Sequence, residues 1–205
     1  MFTLYGWNTP NSLKVLIMLF ELDVKFSSKA VPLDGSQFNA EFSQINRNQK
    51  TPVLAFDNHY LAESGAILLY LSQRFNLFNQ NPEVMQWLMW QMSAQGPVTG
   101  NLIYFNYKAE NKETLAIKRF NDEFNRQLIL IESHLKNQSY LAVNYSIADM
   151  ALFSWYHKLE QFGIKPEKYP NIFAWIKRVS KRPAIIKALE FEFSKTSQRD
   201  IKNEQ

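Results

Sequence analysis

The chain has 205 residues, of which 46% are hydrophobic and 20% charged, and its formal net charge is +4 at pH 7. This length and balance are typical of a globular protein of one or two domains that buries a sizeable core. The absence of cysteine excludes disulfides, thiolate metal sites and a cysteine nucleophile. The three histidines lie far apart in the sequence, so we expect no metal site.

The sequence also argues against membrane and nucleic-acid partners. No apolar run approaches the ~20 residues of a membrane helix, and the start lacks the basic flank and apolar core of a signal peptide. We therefore expect a cytoplasmic protein without a membrane partner. The densest basic group, within residues 177–182, is typical of a solvated helix end rather than a nucleic-acid patch.

The first 75 residues alternate between strand and helix patterns. Strands are predicted at 2–5, 24–31, 53–56 and 59–61, and helices at 12–22, 34–44 and 64–74. In the first helix four apolar residues are predicted to face the core: Leu13, Leu16, Ile17 and Phe20. Asp57 and Asn58 predict a tight hairpin turn. This β-α-β-α-β-β-α order predicts an α/β domain, residues 1–75, with one mixed sheet.

Residues 76–82 are rich in Asn and predict a linker. Only helical periodicity follows, so residues 83–205 are predicted to form an all-α C-terminal domain, a helical bundle. Its helices are predicted at 83–107, 112–136, 147–162, 171–180 and 184–193. The first should bend near Gly96 and Pro97, and residues 194–205 should fray.

Ser146 and Asp149 form an S-x-x-D arrangement just before an apolar helix. Ser146 is a candidate N-cap, and Asp149 stands where the usual Glu of a capping box would be. We interpret the pair as structural rather than catalytic.

Two short segments predict a binding site. Pro52 stands just before an apolar strand and is a candidate for a cis peptide bond. The backbone of Thr51 is then left outside the ladder. Ser64, after Glu63, stands where the next helix begins, and a helix N-terminus attracts carboxylates. An exposed backbone edge beside an anion site is what an extended, acidic peptide needs.

These segments, with three others, resemble the glutathione S-transferases. The stretch Glu63-Ser64-Gly65-Ala66-Ile67 would by itself indicate only the superfamily. Together with Thr9-Pro10-Asn11, Trp87-Leu88-Met89-Trp90-Gln91 and the later Gly96-Pro97 with Gly100, it is similar to the bacterial nu class. The resemblance implies a thioredoxin-like domain followed by a helical one, and a homodimer. It also implies an enzyme that binds glutathione or its disulfide and reduces a small disulfide, with side activity on a peroxide or electrophile.

The resemblance also implies roles for single residues. Thr9 and Asn11 would donate hydrogen bonds to the glutathione sulfur and so act as the catalytic residues. The other implied glutathione-binding residues are Gln37 and Lys50 at the glycine end, Thr51 and Pro52 at the cysteinyl unit, Glu63 and Ser64 at the γ-glutamyl end, and Arg119 on a helix near the site.

Other interpretations stay open from the sequence. Thr9 and Asn11 can be ordinary helix-capping residues. Tyr5 can be a catalytic phenol, although its place in a strand favours a role on the sheet face. The whole chain can be a glutathione-binding but catalytically weak regulatory module, because fold alone does not decide between such functions.

Overall fold

The computed structural model describes residues 1–78 and 81–194, which form two compact units. The first unit contains residues 1–77 together with the described residues from Lys181 onward, and the second contains the described residues of 78–180. The first is built on a mixed sheet and the second is helical, which confirms the predicted α/β plus all-α fold.

The first unit has four strands in the order β2-β1-β3-β4. They span Phe2–Gly6 (β1), Phe26–Ala30 (β2), Val53–Phe56 (β3) and His59–Ala62 (β4). β2 is parallel to β1, whereas β3 is antiparallel to both β1 and β4. The predicted hairpin turn is confirmed: Asp57 and Asn58 have φ of 46° and 63°, the left-handed values that a tight two-residue turn requires.

Helices α1 (Pro10–Glu21), α2 (Ala40–Ile45) and α3 (Ser64–Phe75) follow the first, second and fourth strands. Where one helix was predicted over 34–44, a short 3₁₀ turn, Ser36–Phe38, precedes α2. Tyr5 lies on the α2 face of the sheet, where its ring packs against Phe42 and Tyr60.

The buried face of α1 is wider than predicted. Leu13 and Phe20, expected in the core, are only partly buried, whereas Lys14, Val15 and Leu19 are buried. The reason is that α1 packs against both α3 and a ninth helix, α9 (Pro183–Glu190), that comes from the far end of the chain. A single apolar stripe therefore does not describe this helix.

The second unit contains the remaining helices, α4 (Pro82–Trp90), α5 (Gly96–Ile103), α6 (Thr114–His134), α7 (Ile147–Tyr156) and α8 (Pro170–Val179). The helix predicted over 83–107 is interrupted by two π-helical turns, Gln91–Gln95 and Tyr104–Lys108. In the first, the N–H of Gly96 donates to the carbonyl of Gln91. The interruption falls beside Pro97, which has no N–H to continue an α-helical ladder.

The end of the chain differs from the predicted division. Residues from Lys181 onward pack within the first unit, although the sequence assigned them to the C-terminal domain of 83–205. Helix α9 ends at Glu190, and Phe191 is extended, where a helix was predicted to continue to residue 193. The linker of 76–82 stays a prediction. Residues 195–205, predicted to fray, lie outside the described residues.

Neither the helices of 1–78 nor those of 81–194 include one long and apolar enough to cross a membrane. The same ranges contain no cluster of three His, Asp or Glu side chains that could hold a metal ion.

Candidate functional site

The strand register brings the predicted binding segments to one end of the sheet. β3 and β4 pair with Val53 opposite Ala62, so the residues before Val53 and those after Ala62 lie at the same end. β1 is antiparallel to β3 with Tyr5 opposite Val53, so Gly6 and the loop into α1 reach this end too. The N-termini of α1 and α3 are therefore together there, and their amides favour an anion.

The loop before β3 is held by one asparagine. Asn46 donates from Nδ2 to the carbonyl of Lys50 at 2.8 Å and accepts from the N–H of Asn48 at 3.0 Å. The Thr51–Pro52 peptide bond is cis. No hydrogen bond outside the strand ladder engages Thr51 within the described part of the chain, and Lys50 is exposed. Asn46 is thus a supporting residue that the sequence analysis missed.

The entry into α3 is unusual. Glu63 is exposed and has φ 69° and ψ 111°, a sparsely populated conformation that costs about 1–3 kcal/mol in a residue with a side chain. Ser64, the first residue of α3, is only 3% exposed. Glu63 stands at the N-cap position but makes no side-chain capping hydrogen bond. Backbone strain of this kind concentrates at binding sites, so its conformation is compatible with the predicted binding role.

Lys14 is a second residue that the sequence analysis missed. Its ammonium nitrogen donates to Ser64 Oγ at 3.3 Å, although the side chain is only 1% exposed. Burial lowers the pKa of Lys14 to about 7, against the opposing effect of the Glu63 carboxylate. The sequence did contain a signal for this contact, because Lys14 lies within an otherwise apolar run. A lysine is seldom fully buried unless it has a partner.

Thr9 is the N-cap of α1, as the capping interpretation proposed. Its Oγ1 accepts from the N–H of Ser12 at 3.2 Å and donates to Ser12 Oγ at 3.2 Å. Asn11, which follows Pro10 in the first turn, does not cap: its side chain has no hydrogen-bond partner among the described residues. Asn11 therefore has a full set of donors and acceptors to offer a ligand.

The remaining predicted residues divide between the units. Gln37 follows β2, whose end Ala30 lies beside Gly6, and its Oε1 accepts from the N–H of Gly35 at 2.9 Å. Its amide N–H groups can donate elsewhere. Arg119 lies on α6 of the second unit, where it is exposed and lines a cavity of about 490 Å³ with Lys118 and Arg126. Its part in glutathione binding stays a prediction.

Ser146 and Asp149 form a capping box at the start of α7 in the second unit. The Asp149 carboxylate accepts from the N–H of Ser146 at 3.0 Å and from that of Leu141 at 3.0 Å. It also accepts from Trp175 Nε1 at 2.9 Å. Asp149 is fully buried, so the pair stabilises the helical unit, as the sequence indicated.

The end of the chain supports the loop that carries Thr9. Asn8 Oδ1 accepts from the N–H of Phe193 at 3.0 Å. The Phe193 ring, 3% exposed, lies against Gly6: a Cβ on that glycine would be 2.6 Å from Phe193 Cζ. The close approach therefore requires glycine at position 6, for a reason that no local pattern contains.

We expect Gly6→Ala to destabilise the first unit by about 1–3 kcal/mol, because the new methyl group overpacks a buried ring. Thermal unfolding followed by circular dichroism measures the loss. The double variant Gly6→Ala/Phe193→Leu should recover part of it, since the shorter side chain gives room.

Gly100→Ala is the matched control. A Cβ there would lie 3.8 Å from Trp155 Cη2, an ordinary contact, and alanine favours a helix by about 0.5–1 kcal/mol over glycine. This variant should be neutral or stabilised. If Gly6→Ala behaved like Gly100→Ala, the packing of Phe193 on Gly6 would be wrong.

Comparisons with known proteins identify the two domains of the chain. Residues 1–73 match the glutathione S-transferase N-terminal domain, and residues 92–183 match the glutathione S-transferase C-terminal domain. The chain is 38% identical to an uncharacterized GST-like protein of Streptococcus mutans, over 92% of this chain and 81% of that protein. It is 34% identical to the disulfide-bond oxidoreductase YfcG of Escherichia coli, over 92% and 94% of the two chains.

A solved structure extends the likeness to the fold. The glutathione transferase of Pseudomonas putida, which has one glutathione disulfide bound per subunit, superposes with a TM-score of 0.85. The two chains are 31% identical, over 93% of this chain and 91% of that one. Both family domains, the strand order and the relatives lead to one conclusion: the chain belongs to the glutathione S-transferase family.

Proposed function

We propose that the protein binds glutathione at the end of the first unit's sheet and uses its thiolate to reduce disulfides. The observation that carries the proposal is the register that gathers Thr51, Ser64 and the loop into α1 at one place. The likeness to YfcG, named as a disulfide-bond oxidoreductase, and to a transferase with bound glutathione disulfide supports this choice of ligand and reaction.

The two ends of glutathione fit the two ends of this site. The γ-glutamyl carboxylate would lie at the N-terminus of α3, with Ser64 as donor and the Glu63 carboxylate beside the ammonium. The cysteinyl unit would pair with the backbone of Thr51, as an added strand pairs with a sheet edge. Gln37 and Lys50 would reach the glycine carboxylate.

The sulfur would then lie at the N-terminus of α1. A thiol attacks only as a thiolate, and a free one has a pKa of about 8.5. Donors such as the Asn11 amide, together with the positive end of the helix, stabilise the thiolate and lower that pKa. Thr9 shares this role only if its hydroxyl turns away from Ser12 Oγ, to which it donates here.

Because the chain has no cysteine, every thiol in the reaction must belong to glutathione or to the substrate. The glutathione thiolate attacks one sulfur of the substrate disulfide, forms a mixed disulfide and releases the other sulfur as a thiolate, which takes up a proton. A second glutathione thiolate attacks the mixed disulfide, releasing the second substrate thiol and leaving glutathione disulfide. Both electrons come from glutathione, and the protein binds, orients and stabilises charge.

The test is the turnover of 2-hydroxyethyl disulfide with reduced glutathione, coupled to glutathione reductase. Conjugation of glutathione to an aromatic chloride is measured in parallel. We expect strong disulfide turnover and weak conjugation.

The opposite pattern would make the protein a conjugating transferase. Absence of turnover in both assays, with glutathione still bound, would favour the regulatory module. Homodimer formation and a cytoplasmic location belong to the proposal and are supported by the family alone.

A further inference from the structure

Lys14 is a charged side chain in a place that disfavours charge. It lies in the second turn of α1, 1% exposed, within a helix whose residues 15–19 are all buried apolar side chains. Removing an ammonium group from water costs several kcal/mol unless its surroundings compensate. A methionine would fill the same space without that cost, so the lysine needs an explanation.

Two groups of the predicted carboxylate subsite act on Lys14. Lys14 Nζ donates to Ser64 Oγ at 3.3 Å, and Glu63 is the charged group whose field acts on it. A hydroxyl can accept one hydrogen bond while donating another. Accepting from Lys14 therefore does not by itself prevent Ser64 from donating to a ligand carboxylate.

Other charges on the surrounding helices are engaged or exposed. On α1, Glu21 pairs with Arg182 at 2.6 Å. On α9, Lys187 and Glu190 are exposed, and at the far end of α3, Arg74 pairs with Asp57 at 3.2 Å.

We propose that Lys14 is a positioning residue for the carboxylate subsite, one that orients the Ser64 hydroxyl and takes up a proton when an anion binds there. The inference rests on the proposed function, because the anion is the γ-glutamyl carboxylate of glutathione. Because burial lowers the pKa of Lys14 to about 7, the free protein holds both the charged and the neutral form at neutral pH. A carboxylate at Ser64 favours the charged form, so binding draws protons from solution.

The alternative is a purely structural role, in which Lys14 only connects α1 to α3. The Lys14→Met variant distinguishes this role from the proposed one. If the role is structural, removing the hydrogen bond to Ser64 should lower stability. If Lys14 serves the subsite, stability should be unchanged or higher, because the desolvation cost disappears, and affinity should fall about tenfold. Lys187→Met, an equal change of charge at an exposed position of α9, should leave both unchanged.

The binding probe is S-methylglutathione, whose blocked thiol has no proton to lose. Calorimetric titrations at pH 7.5 in two buffers of different ionisation enthalpy give the number of protons taken up. We expect fractional uptake by the wild type and by Lys187→Met, and none by Lys14→Met. Absence of uptake by the wild type would overturn the inference even if Lys14→Met does not fold.

The outcomes separate this inference from the proposed function. Binding without proton uptake in the wild type would overturn the inference alone, as would unchanged affinity in a folded Lys14→Met variant. If the wild type did not bind S-methylglutathione, the proposed function would be overturned, and the inference with it.

Discussion

Asp149→Ala is expected to lower the free energy of unfolding by about 3–5 kcal/mol, because several buried donors lose their acceptor together. They include the N–H of Leu141, the N–H of Ser146 and the indole N–H of Trp175. A loss of this size is a large part of the roughly 5–15 kcal/mol by which a domain is stable. Ser146→Ala, which removes only the N-cap side chain, should cost about 1 kcal/mol.

Urea unfolding followed by tryptophan fluorescence measures this effect. Four of the five tryptophans, Trp87, Trp90, Trp155 and Trp175, belong to the second unit, so the signal reports mainly on the unit that contains Asp149. Asp122→Ala is the control. Its carboxylate pairs with Lys118 between two exposed side chains, and such pairs contribute about 0–1 kcal/mol. Equal losses for the two variants would contradict the role given to Asp149.

The features predicted correctly from the sequence share one physical property: the residues that determine them are close in the chain. Asp57 and Asn58 form a tight turn because both tolerate positive φ. Ser146 and Asp149 are three residues apart, so the capping box is complete within one helical turn. Local patterns of this kind determine where elements begin and end, and hence the fold class.

The features that were missed depend on residues far apart in the chain. Lys14 contacts Ser64 across fifty positions, and Asn8 contacts Phe193 across 185 positions. The spacing of apolar residues in α1 predicts one buried face, but packing by α9 adds another. Neither the burial of Lys14 nor the glycine at position 6 can be explained until these partners are known.

The predicted site depends both on local sequence patterns and on contacts between distant segments. Each segment, with Pro52 before a strand or Ser64 at a helix start, is recognisable locally. Whether these segments lie at the same end of the sheet depends on the pairing of β1, β3 and β4. The strand pattern permits this pairing but does not determine it. The separate roles of Thr9 and Asn11 depend on the hydroxyl of Ser12, and spacing alone does not distinguish them.

Asn11→Ala should lower the turnover of 2-hydroxyethyl disulfide by about ten- to a hundredfold. A hydrogen bond to a charged group contributes about 1.5–3 kcal/mol, and each 1.36 kcal/mol is tenfold in rate. Affinity for glutathione should change by less than about threefold, because most of the ligand is held elsewhere, at Thr51 and Ser64. Steady-state kinetics give turnover, and ultraviolet absorbance of the bound thiolate against pH gives the pKa of the thiol, which should rise.

Thr9→Ala is the matched comparison, because the two residues begin the same helix but differ in their contacts. Thr9 caps α1 through Ser12, so its loss should cost about 1 kcal/mol of stability and less activity than the loss of Asn11. Asn11→Ala should leave stability within about 0.5 kcal/mol, because it breaks no side-chain hydrogen bond of the described fold. If Thr9→Ala instead abolished turnover while Asn11→Ala kept it, Thr9 would be the donor to sulfur. Its hydroxyl proton would then have to turn from Ser12 Oγ towards the sulfur whenever glutathione binds, while Oγ1 continues to accept from the N–H of Ser12.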